Sequence, residues 1–303
     1  MPAEPALKER KPDDTAVIAE LAPAKINLAL HVTGQRADGY HLLESIVTFA
    51  DIGDRLSFSP AREDHFTLSG RFSGVLSADA ADNLVIRARD RLRGLLERTG
   101  LEAPPVAIHL EKNLPVASGI GGGSADAAAA LRGLLRLWQA EGLPARELGA
   151  LALSLGADVP MCLHGKPAIA SGVGEQLSPL PDLPSLFLVL GNPLRGVSTP
   201  DVFSRLAERH NPGLPSIGDG DWVRLLPRLR NDLEEPARGL LPEIAEISAL
   251  IGAQGAVLTR MSGSGATCFG IFRSKDASLR AASQLREARP DWYFEATETI
   301  AGS

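Results

Sequence analysis

A glycine-rich segment constrains this chain more than any other feature: four of the five residues from 119 to 123 are glycine. The run before it, Val106–Leu110, alternates in polarity as a half-buried strand does. The run after it, Ser124–Trp138, opens with helix-start residues and continues in alanine and leucine. A strand, a glycine loop and a helix start let several backbone N–H groups converge on one anion. The sequence therefore predicts a phosphate-binding loop, made of Pro115, Val116, Ala117, Ser118, Gly119, Ile120, Gly121, Gly122, Gly123, Ser124 and Ala125.

Neither of the two common phosphate loops fits this segment. A Walker A loop needs a lysine before the serine, whereas Gly123 is followed directly by Ser124. A dinucleotide fingerprint needs a third glycine at that position and an acidic residue about 20 residues on, at the end of the next strand. Residues 139–144 predict a helix end and a turn instead. The alternative is a glycine turn that only lets a helix pack closely on a strand, although four glycines exceed what such packing requires.

Charge and composition narrow the class of protein. The chain has 303 residues, of which 44% are hydrophobic, and a formal net charge of −6. This size predicts one large or two ordinary domains. The negative charge argues against a nucleic-acid or anionic-membrane partner, because either one requires a basic surface. We therefore expect a small-molecule substrate, with any phosphate held by local donors, and a monomer or homodimer.

The cysteines and the chain's N-terminal residues indicate the compartment. Cys162 and Cys268 are far apart in apolar settings, which predicts buried free thiols in a reducing environment. Residues 1–15 are rich in charge and proline, predict a disordered tail and lack the apolar stretch of a signal peptide. No apolar run reaches the ~18 residues of a membrane span. The sequence predicts a cytoplasmic protein.

Three further motifs contain residue types that could carry chemistry. In Pro23–Leu28 the alternation of a strand places Lys25 and Asn27 on one face. Gly156–Pro160 places Asp158 at a turn, and Met261–Thr267 contains a Ser-Gly-Ser-Gly turn. The respective alternatives are an exposed edge lysine, a helix-capping acid and a simple hairpin turn.

Periodicity and breakers predict a mixture of strands and helices. Helices are expected over 83–98, 124–138, 145–155, 200–209, 220–236, 242–251 and 277–288, and strands over 17–21, 25–31, 42–48, 55–59, 65–68, 106–110, 186–190, 256–260, 267–272 and 292–297. Residues 167–184, with four prolines, mark the expected domain junction. The last strands and helix predict an α+β sandwich.

The motifs together resemble the GHMP kinase superfamily. The resemblance covers 24–28, 34–41, 82–85, 119–124, 156–160, 172–175 and 262–266, with Ile120 for the usual leucine and Ala125 for the frequent second serine. It implies a two-domain α+β fold: an N-terminal ribosomal-protein-S5-domain-2-like domain over 16–172 and a C-terminal ferredoxin-like α/β sandwich over 173–303.

The same resemblance implies phosphoryl transfer from ATP. The loop N–H groups hold the nucleotide phosphates, and the Ser124 hydroxyl touches the β-phosphate or a Mg²⁺ ion. Asp158 is implied as the general base or as a group that mainly orients the acceptor, with Lys25 beside it. Asn83 is implied near the adenine, although capping of the following helix is as good an explanation.

On the acceptor side, Gly39-Tyr40-His41 is similar to superfamily members whose substrate carries a cytidine diphosphate group. This implies phosphorylation of the 2-hydroxyl of a cytidyl diphosphate ester of methylerythritol. Residues implied to bind it are Asn27, Tyr40, His41, Thr199 and Phe203, with Tyr40 and Phe203 stacking on opposite faces of the cytosine. Two alternatives stay open: a kinase of this fold for another small alcohol, and a nucleotide-binding protein that does not catalyse.

Overall fold

The computed structural model describes residues 17–75, 83–217 and 222–303, which form two β-sheets with helices packed on them. The predicted disordered tail, 1–15, lies outside the described residues. No helix in the described ranges is long and apolar enough to cross a bilayer.

The first half of the chain builds the first sheet and the helices that cover it. Its strands are β1 (Ile18–Gln35), β2 (His41–Pro60), β3 (His65–Ser69), β4 (Val106–Glu111), β5 (Ala168–Gly172) and β6 (Gln176–Pro179). Its helices are α1 (Leu84–Arg98), α2 (Gly122–Leu137), α3 (Ala145–Leu155) and α4 (Val159–His164).

Strand β2 is the centre of the first sheet. The strand order is β3-β4-β2-β5-β6, and β1 also pairs with β2 over almost its whole length. β1 is one continuous strand, so the expectation of separate strands at 17–21 and 25–31 is wrong. A register shift between Pro23 and Lys25 carries β1 past the proline, which lacks the N–H needed for regular pairing. Likewise, the strands expected at 42–48 and 55–59 are one strand, β2.

Helix α2 packs its alanine-rich face against the first sheet. Ala127 to Ala130 are fully buried, together with Leu131 and Leu134. The approach is closest at Gly133, where an added Cβ would lie 2.2 Å from Cε2 of Phe58. A small-residue face therefore sets the distance between helix and sheet, and with it the position of the loop from which α2 starts.

The second half forms an antiparallel sheet with helices. Its elements are β7 (Phe187–Asn192), α5 (Thr199–Ser204), α6 (Trp222–Leu225), α7 (Glu234–Leu240), α8 (Glu243–Ala253), β8 (Leu258–Met261), β9 (Cys268–Phe272), α9 (Lys275–Ala288) and β10 (Tyr293–Glu298). The strand order is β10-β7-β9-β8, the order of a ferredoxin-like sandwich. The predicted α+β class is confirmed.

The single helix expected over 220–236 is wrong for the residues that the structure describes. Between α6 and α7 the backbone leaves the helical path and pairs with β1 of the first half. The N–H of Leu30 donates to the Arg230 carbonyl, and the N–H of Asp232 donates to the Leu30 carbonyl, both at 2.9 Å. Pro227 favours a break at this point, because it cannot donate to the helix ladder. A tertiary contact therefore replaces the helix.

Arg260 joins the two halves from a buried position on β8. Its guanidinium donates to the carbonyl of Leu28 on β1 and to the carbonyls of Leu226 and Leu229. Burial lowers the pKa of Arg260 to about 10. Three backbone acceptors thus replace water around a cation, and they fix the edge of the second sheet against β1.

Candidate active site

The glycine-rich loop connects β4 to α2 with a backbone that side chains rarely adopt. Gly119 and Gly121 have φ of 75° and 65°, and Ala117 has φ of 51°. An added Cβ at Gly119 would lie 2.6 Å from the Ser262 carbonyl oxygen and 2.7 Å from Gly265 N. The glycines therefore agree with both interpretations of this segment, a phosphate-binding loop and a site of close packing. They allow the loop conformation, and they allow close contact with the turn over residues 262–265 of the second half.

A cavity of about 280 Å³ lies over this loop. The loop contributes one wall, and the Ser-Gly-Ser-Gly turn of the second half contributes another. The lining residues are Lys25, Leu84, Ala117, Ser118, Gly119, Gly121, Gly122, Gly123, Ser124, Asp158, Val197, Thr199, Gly263, Ser264 and Gly265. Of the other loop residues, Pro115 and Val116 line the adjoining cavity described below, whereas Ile120 and Ala125 are buried beneath the loop.

Lys25 and Asp158 meet in this cavity although they are 133 residues apart in the chain. The Lys25 ammonium donates to Oδ2 of Asp158 at 2.8 Å, and the side chains are 5% and 39% exposed. The Lys25 N–H donates to the Ile120 carbonyl at 2.9 Å, which fixes β1 to the loop. Asp158 stands at the start of α4 with no side-chain bond to the helix. The alternatives of an exposed lysine and a capping acid therefore do not describe these two residues.

A second cavity, of about 140 Å³, continues from the loop to the start of α1. Asn83 lines it, and its side-chain oxygen accepts from Val85 N at 2.9 Å as the cap of α1. The capping role is therefore present, and the residue also lies on the cavity wall. Leu84, Ala117, Gly122 and Gly123 border both cavities, so the two spaces are continuous.

A third space, the acceptor cleft, extends from Asp158 in the other direction with a volume of about 770 Å³. Its walls carry four of the five predicted acceptor residues, Tyr40, His41, Thr199 and Phe203. Tyr40 is 63% exposed. Ser124, Asp158 and Thr199 border both this cleft and the loop cavity. The three spaces thus form one groove with the Lys25–Asp158 pair near its middle.

The aromatic residues of the acceptor cleft include one contact that the resemblance did not imply. Phe203 stacks on His41, with ring centroids 4.6 Å apart and an interplanar angle of 24°. This spacing is normal for two rings in direct contact and leaves no room for a base between them. Burial and, after it, the nearby charge of Arg209 lower the pKa of His41.

The structure does not bring Asn27 to the wall of the groove. Asn27 is buried, its side-chain amide donates to the Ser45 hydroxyl at 2.7 Å, and its backbone N–H donates to the Ser262 hydroxyl at 3.0 Å. Within residues 17–75, 83–217 and 222–303, its Oδ1 atom has no hydrogen-bond partner. Thr199, by contrast, is exposed at the groove, with its hydroxyl 2.8 Å from that of Ser264.

A buried charge cluster beneath the loop was not predicted from the sequence. Lys112 pairs with Asp54 and, at 2.6 Å, with Asp126 of α2. Asp54 also accepts from the N–H groups of Asn113 and Leu114 at 2.6 and 2.8 Å. Burial raises the pKa of Asp126 to about 8. The available signal was an aspartate on the alanine-rich, core-facing side of the predicted helix.

The described residues contain no group of three or more His, Cys, Asp or Glu side chains that could hold a metal ion. Mg²⁺ commonly keeps several waters and takes one or two protein ligands plus substrate phosphates. The Ser124 hydroxyl on the loop cavity fits such a site, since a phosphate-bound ion needs only that kind of additional ligand. The residues present are therefore compatible with Mg²⁺ carried by ATP.

Comparison with known proteins first defines the class. The family model described as GHMP kinases N terminal domain matches residues 83–166, and the one described as GHMP kinases C terminal matches residues 214–291. A crystal structure of homoserine kinase from Cytophaga hutchinsonii superposes with a TM-score of 0.68 at 19% identity and covers 98% of each chain. At that identity the similarity shows the fold, which is the predicted GHMP kinase fold.

Relatives with higher sequence identity indicate which family within the GHMP kinases the chain belongs to. A protein of Rhizobium etli named 4-diphosphocytidyl-2-C-methyl-D-erythritol kinase is 62% identical over 95% of this chain and 97% of its own length. A protein of the same name from Agrobacterium fabrum is 61% identical over 93% and 96%. A crystal structure of 4-(cytidine 5'-diphospho)-2C-methyl-D-erythritol kinase has a TM-score of 0.77 at 37% identity, covering 94% of this chain and all of that one. The chain belongs to the 4-diphosphocytidyl-2-C-methyl-D-erythritol kinase family of GHMP kinases.

Proposed function

We propose that the chain transfers the γ-phosphoryl group of ATP to the 2-hydroxyl of 4-diphosphocytidyl-2-C-methyl-D-erythritol. The products are the 2-phosphate and ADP, and the reaction belongs to the methylerythritol phosphate route to isopentenyl diphosphate. One observation carries the proposal: the Lys25–Asp158 pair lies where the loop cavity meets the acceptor cleft. The names of the relatives support the choice of acceptor.

The loop supplies the donor side of the reaction. Phosphoryl transfer depends mainly on positioning and on neutralising the charge of the transferred group. Backbone N–H groups of residues 119–124 at the start of α2 bind the ATP phosphates, and the positive end of the helix dipole favours them. The cavity beside Asn83 receives the base, whose polar groups can meet the side-chain amide of that residue.

Asp158 and Lys25 act on the acceptor hydroxyl. Asp158 is partly exposed, so its carboxylate can accept the hydroxyl proton as the alcohol attacks. Lys25 is buried beside that carboxylate, where its ammonium group stabilises negative charge on the attacking oxygen. The hydrogen bond at 2.8 Å also orients Asp158, so this residue aligns the hydroxyl as well as accepting its proton.

Mg²⁺ bound with ATP would neutralise phosphate charge, held in part by the Ser124 hydroxyl. Ser124 borders both the loop cavity and the acceptor cleft, so its hydroxyl stands where the transferred group passes from donor to acceptor.

The cytidyl group binds in the acceptor cleft beside Tyr40, His41 and Phe203. Because His41 and Phe203 are already in contact, the base stacks against this pair rather than between its members. The exposed Tyr40 supplies the second aromatic face. The domain limits at 172/173, the cytoplasmic location and the monomeric or homodimeric state stay predictions.

Acceptor profiling tests the function. The purified protein is assayed for ADP release with 4-diphosphocytidyl-2-C-methyl-D-erythritol, homoserine and mevalonate as acceptors. We expect turnover with the cytidyl acceptor and none with the other two. Turnover restricted to homoserine or mevalonate would assign another small alcohol, and ATP binding without turnover on any acceptor would leave a nucleotide-binding protein.

A further inference from the structure

Arg209 is a cation on the wall of the acceptor cleft. It lies in the segment that follows α5 and lines the cleft together with Tyr40 and His41. Its side chain is half-buried, and its Nε atom is buried without a hydrogen-bond partner among the described residues. No carboxylate in the part of the chain that the structure describes forms an ion pair with its guanidinium. A partly desolvated guanidinium without an anion is costly, and a bound anion would remove that cost.

The other charges of the cleft are already neutralised. Asp38 pairs with Arg36 at 2.7 Å, and Asp158 pairs with Lys25 at 2.8 Å. The neighbouring Glu208 does not neutralise Arg209, because its Oε1 accepts instead from the backbone N–H groups of residues 209 and 210, each at 2.7 Å. The cleft therefore presents one net positive charge, on a chain whose formal net charge is −6.

The position of Arg209 is close to the aromatic pair. Its charge helps to lower the pKa of His41, which requires the two side chains to be near each other. The cleft thus offers an aromatic surface and a cation side by side at one end, and the Lys25–Asp158 pair at the other.

We propose that Arg209 binds the phosphate oxygens of the acceptor's diphosphate group and thereby selects acceptors of the nucleoside diphosphate class. This inference rests on the proposed function. A guanidinium has only donors, arranged as a planar fork that matches phosphate oxygens. In a cytidyl diphosphate ester the diphosphate joins the cytidine to the alcohol, so a substrate with its base on the aromatic surface and its alcohol at Asp158 carries the diphosphate along the cleft that Arg209 lines.

The choice of diphosphate over cytosine follows from charge. Cytosine is neutral and presents a donor as well as acceptors, so it does not need a cation, whereas a diphosphate does. Because the protein's overall field repels anions, a local cation is required to hold one. Arg209 supplies it without an acidic partner that the substrate must first displace.

Binding of CDP and of cytidine separates these two contacts. Calorimetric titration is run on the full chain saturated with a non-hydrolysable ATP analogue, so that the nucleotides reach only the acceptor cleft. For Arg209→Gln we expect CDP affinity to fall about tenfold, within the range of a charge-assisted hydrogen bond, and cytidine affinity to stay unchanged. Arg209→Lys should lie between wild type and Arg209→Gln, because it keeps the charge but loses the fork.

Arg205→Gln is the matched control. Arg205 is an exposed arginine four positions earlier that borders a different groove, so the variant makes the same change in net charge. It should bind CDP and cytidine as the wild type does. Equal losses of CDP and cytidine affinity in Arg209→Gln, no loss of either, or an equal CDP loss in Arg205→Gln would each overturn the inference. Because binding is measured without turnover, the CDP and cytidine affinities of the variants can still be compared if the proposed reaction is not observed.

Discussion

The two buried lysines near the loop, Lys25 and Lys112, have similar surroundings and different roles. Lys25 pairs with one carboxylate, Asp158, which is 39% exposed and borders the groove. Lys112 pairs with two carboxylates, Asp54 and Asp126, which are buried. An acid that substrate can reach can act on it, whereas a buried ion cluster fixes the elements that carry its members. In the proposed reaction the first pair therefore acts on the substrate, whereas the second pair holds β2, β4 and α2 together.

Replacement of the candidate base should reduce turnover. In Asp158→Asn the amide cannot accept a proton from the acceptor hydroxyl, so kcat should fall by about 10²- to 10⁴-fold, with a smaller change in KM for ATP. Steady-state kinetics with the cytidyl acceptor measures both constants. Asp276→Asn, on the exposed start of α9, is the control and should keep the wild-type kcat. A near wild-type kcat in Asp158→Asn would show that Asp158 is neither base nor essential orienting group.

The buried cluster should make stability depend on pH. Burial raises the pKa of Asp126 from 3.8 to about 8, against the attraction of Lys112 and together with the repulsion of Asp54. Between these two values the folded protein holds a proton that the unfolded chain has released. The free energy of unfolding therefore falls as pH rises from about 4 to about 8, and this contribution becomes constant above about 8.

Asp126→Asn removes this titration. The free energy of unfolding of each protein is measured in urea from pH 5 to pH 9. The value for Asp126→Asn minus that for the wild type should increase up to about pH 8 and stay constant above it. Asp276→Asn should differ from the wild type by the same amount at every pH. A constant difference between Asp126→Asn and wild type would mean that Asp126 is ionised throughout in the folded protein.

Sequence patterns identify residues when the chemistry is local and miss them when it depends on packing. The glycine loop could be predicted because its residues are consecutive and their backbone requirements are known. Lys25 and Asp158 could be paired only through the resemblance, since they are 133 residues apart. Lys112 and Asp54 gave no signal, because charged side chains such as lysine and aspartate normally face solvent. The His41–Phe203 contact likewise follows from the fold and from no spacing in the sequence.

At the scale of elements, local rules hold where a helix or strand needs only its own residues. Helices α1, α3 and α9 and strand β4 lie within two residues of their predicted limits. The expectation failed at β1, which continues past Pro23 through a register shift, and at 226–233, where pairing with β1 replaces a helix. In both cases a partner distant in the chain decides the conformation, and single-sequence periodicity contains no information about that partner.

Two glycines in helices should respond in opposite ways to alanine. Gly133 of α2 faces Phe58 so closely that a Cβ would overlap the ring, so Gly133→Ala should destabilise the protein by about 1–3 kcal/mol. Gly149 of α3 has no neighbour within 4 Å of an added Cβ, so Gly149→Ala should stabilise it by about 0.5–1 kcal/mol. Urea unfolding measures both changes. Equal effects of the two substitutions would contradict the close packing of α2 on the sheet.

At the scale of the whole molecule, the two halves share one site. In the proposed function the strand, loop and helix of the first half bind the nucleotide, and the turn over residues 262–265 lines the same cavity from the second half. The turn is bonded to the loop: Thr267 N donates to the Ser118 carbonyl at 3.0 Å, and the Ser262 hydroxyl donates to the Gly119 carbonyl at 3.2 Å. The second half therefore supports the conformation of the loop.

A substitution in this support should weaken ATP binding from outside the cavity. Ser262 is fully buried and does not line the cavity, and Ser262→Ala leaves the Gly119 carbonyl and the Asn27 N–H without their partner. KM for ATP should rise roughly fivefold, equivalent to about 1 kcal/mol. Ser248→Ala is the control, because it removes a buried hydroxyl bonded to Cys268 within the second half. A fivefold rise in both variants would point to general loosening of the fold.

The contact between Gly119 and Ser262 has a consequence for the order in which the protein is made. The ribosome releases the N-terminal part of a chain first, and domains generally fold as they emerge. The loop is therefore synthesised 143 residues before the serine that braces it. A nascent or prematurely terminated polypeptide that stops short of Ser262 has the glycines without their support, so we expect cellular ATP to stabilise the first half less during translation than it does in the finished chain.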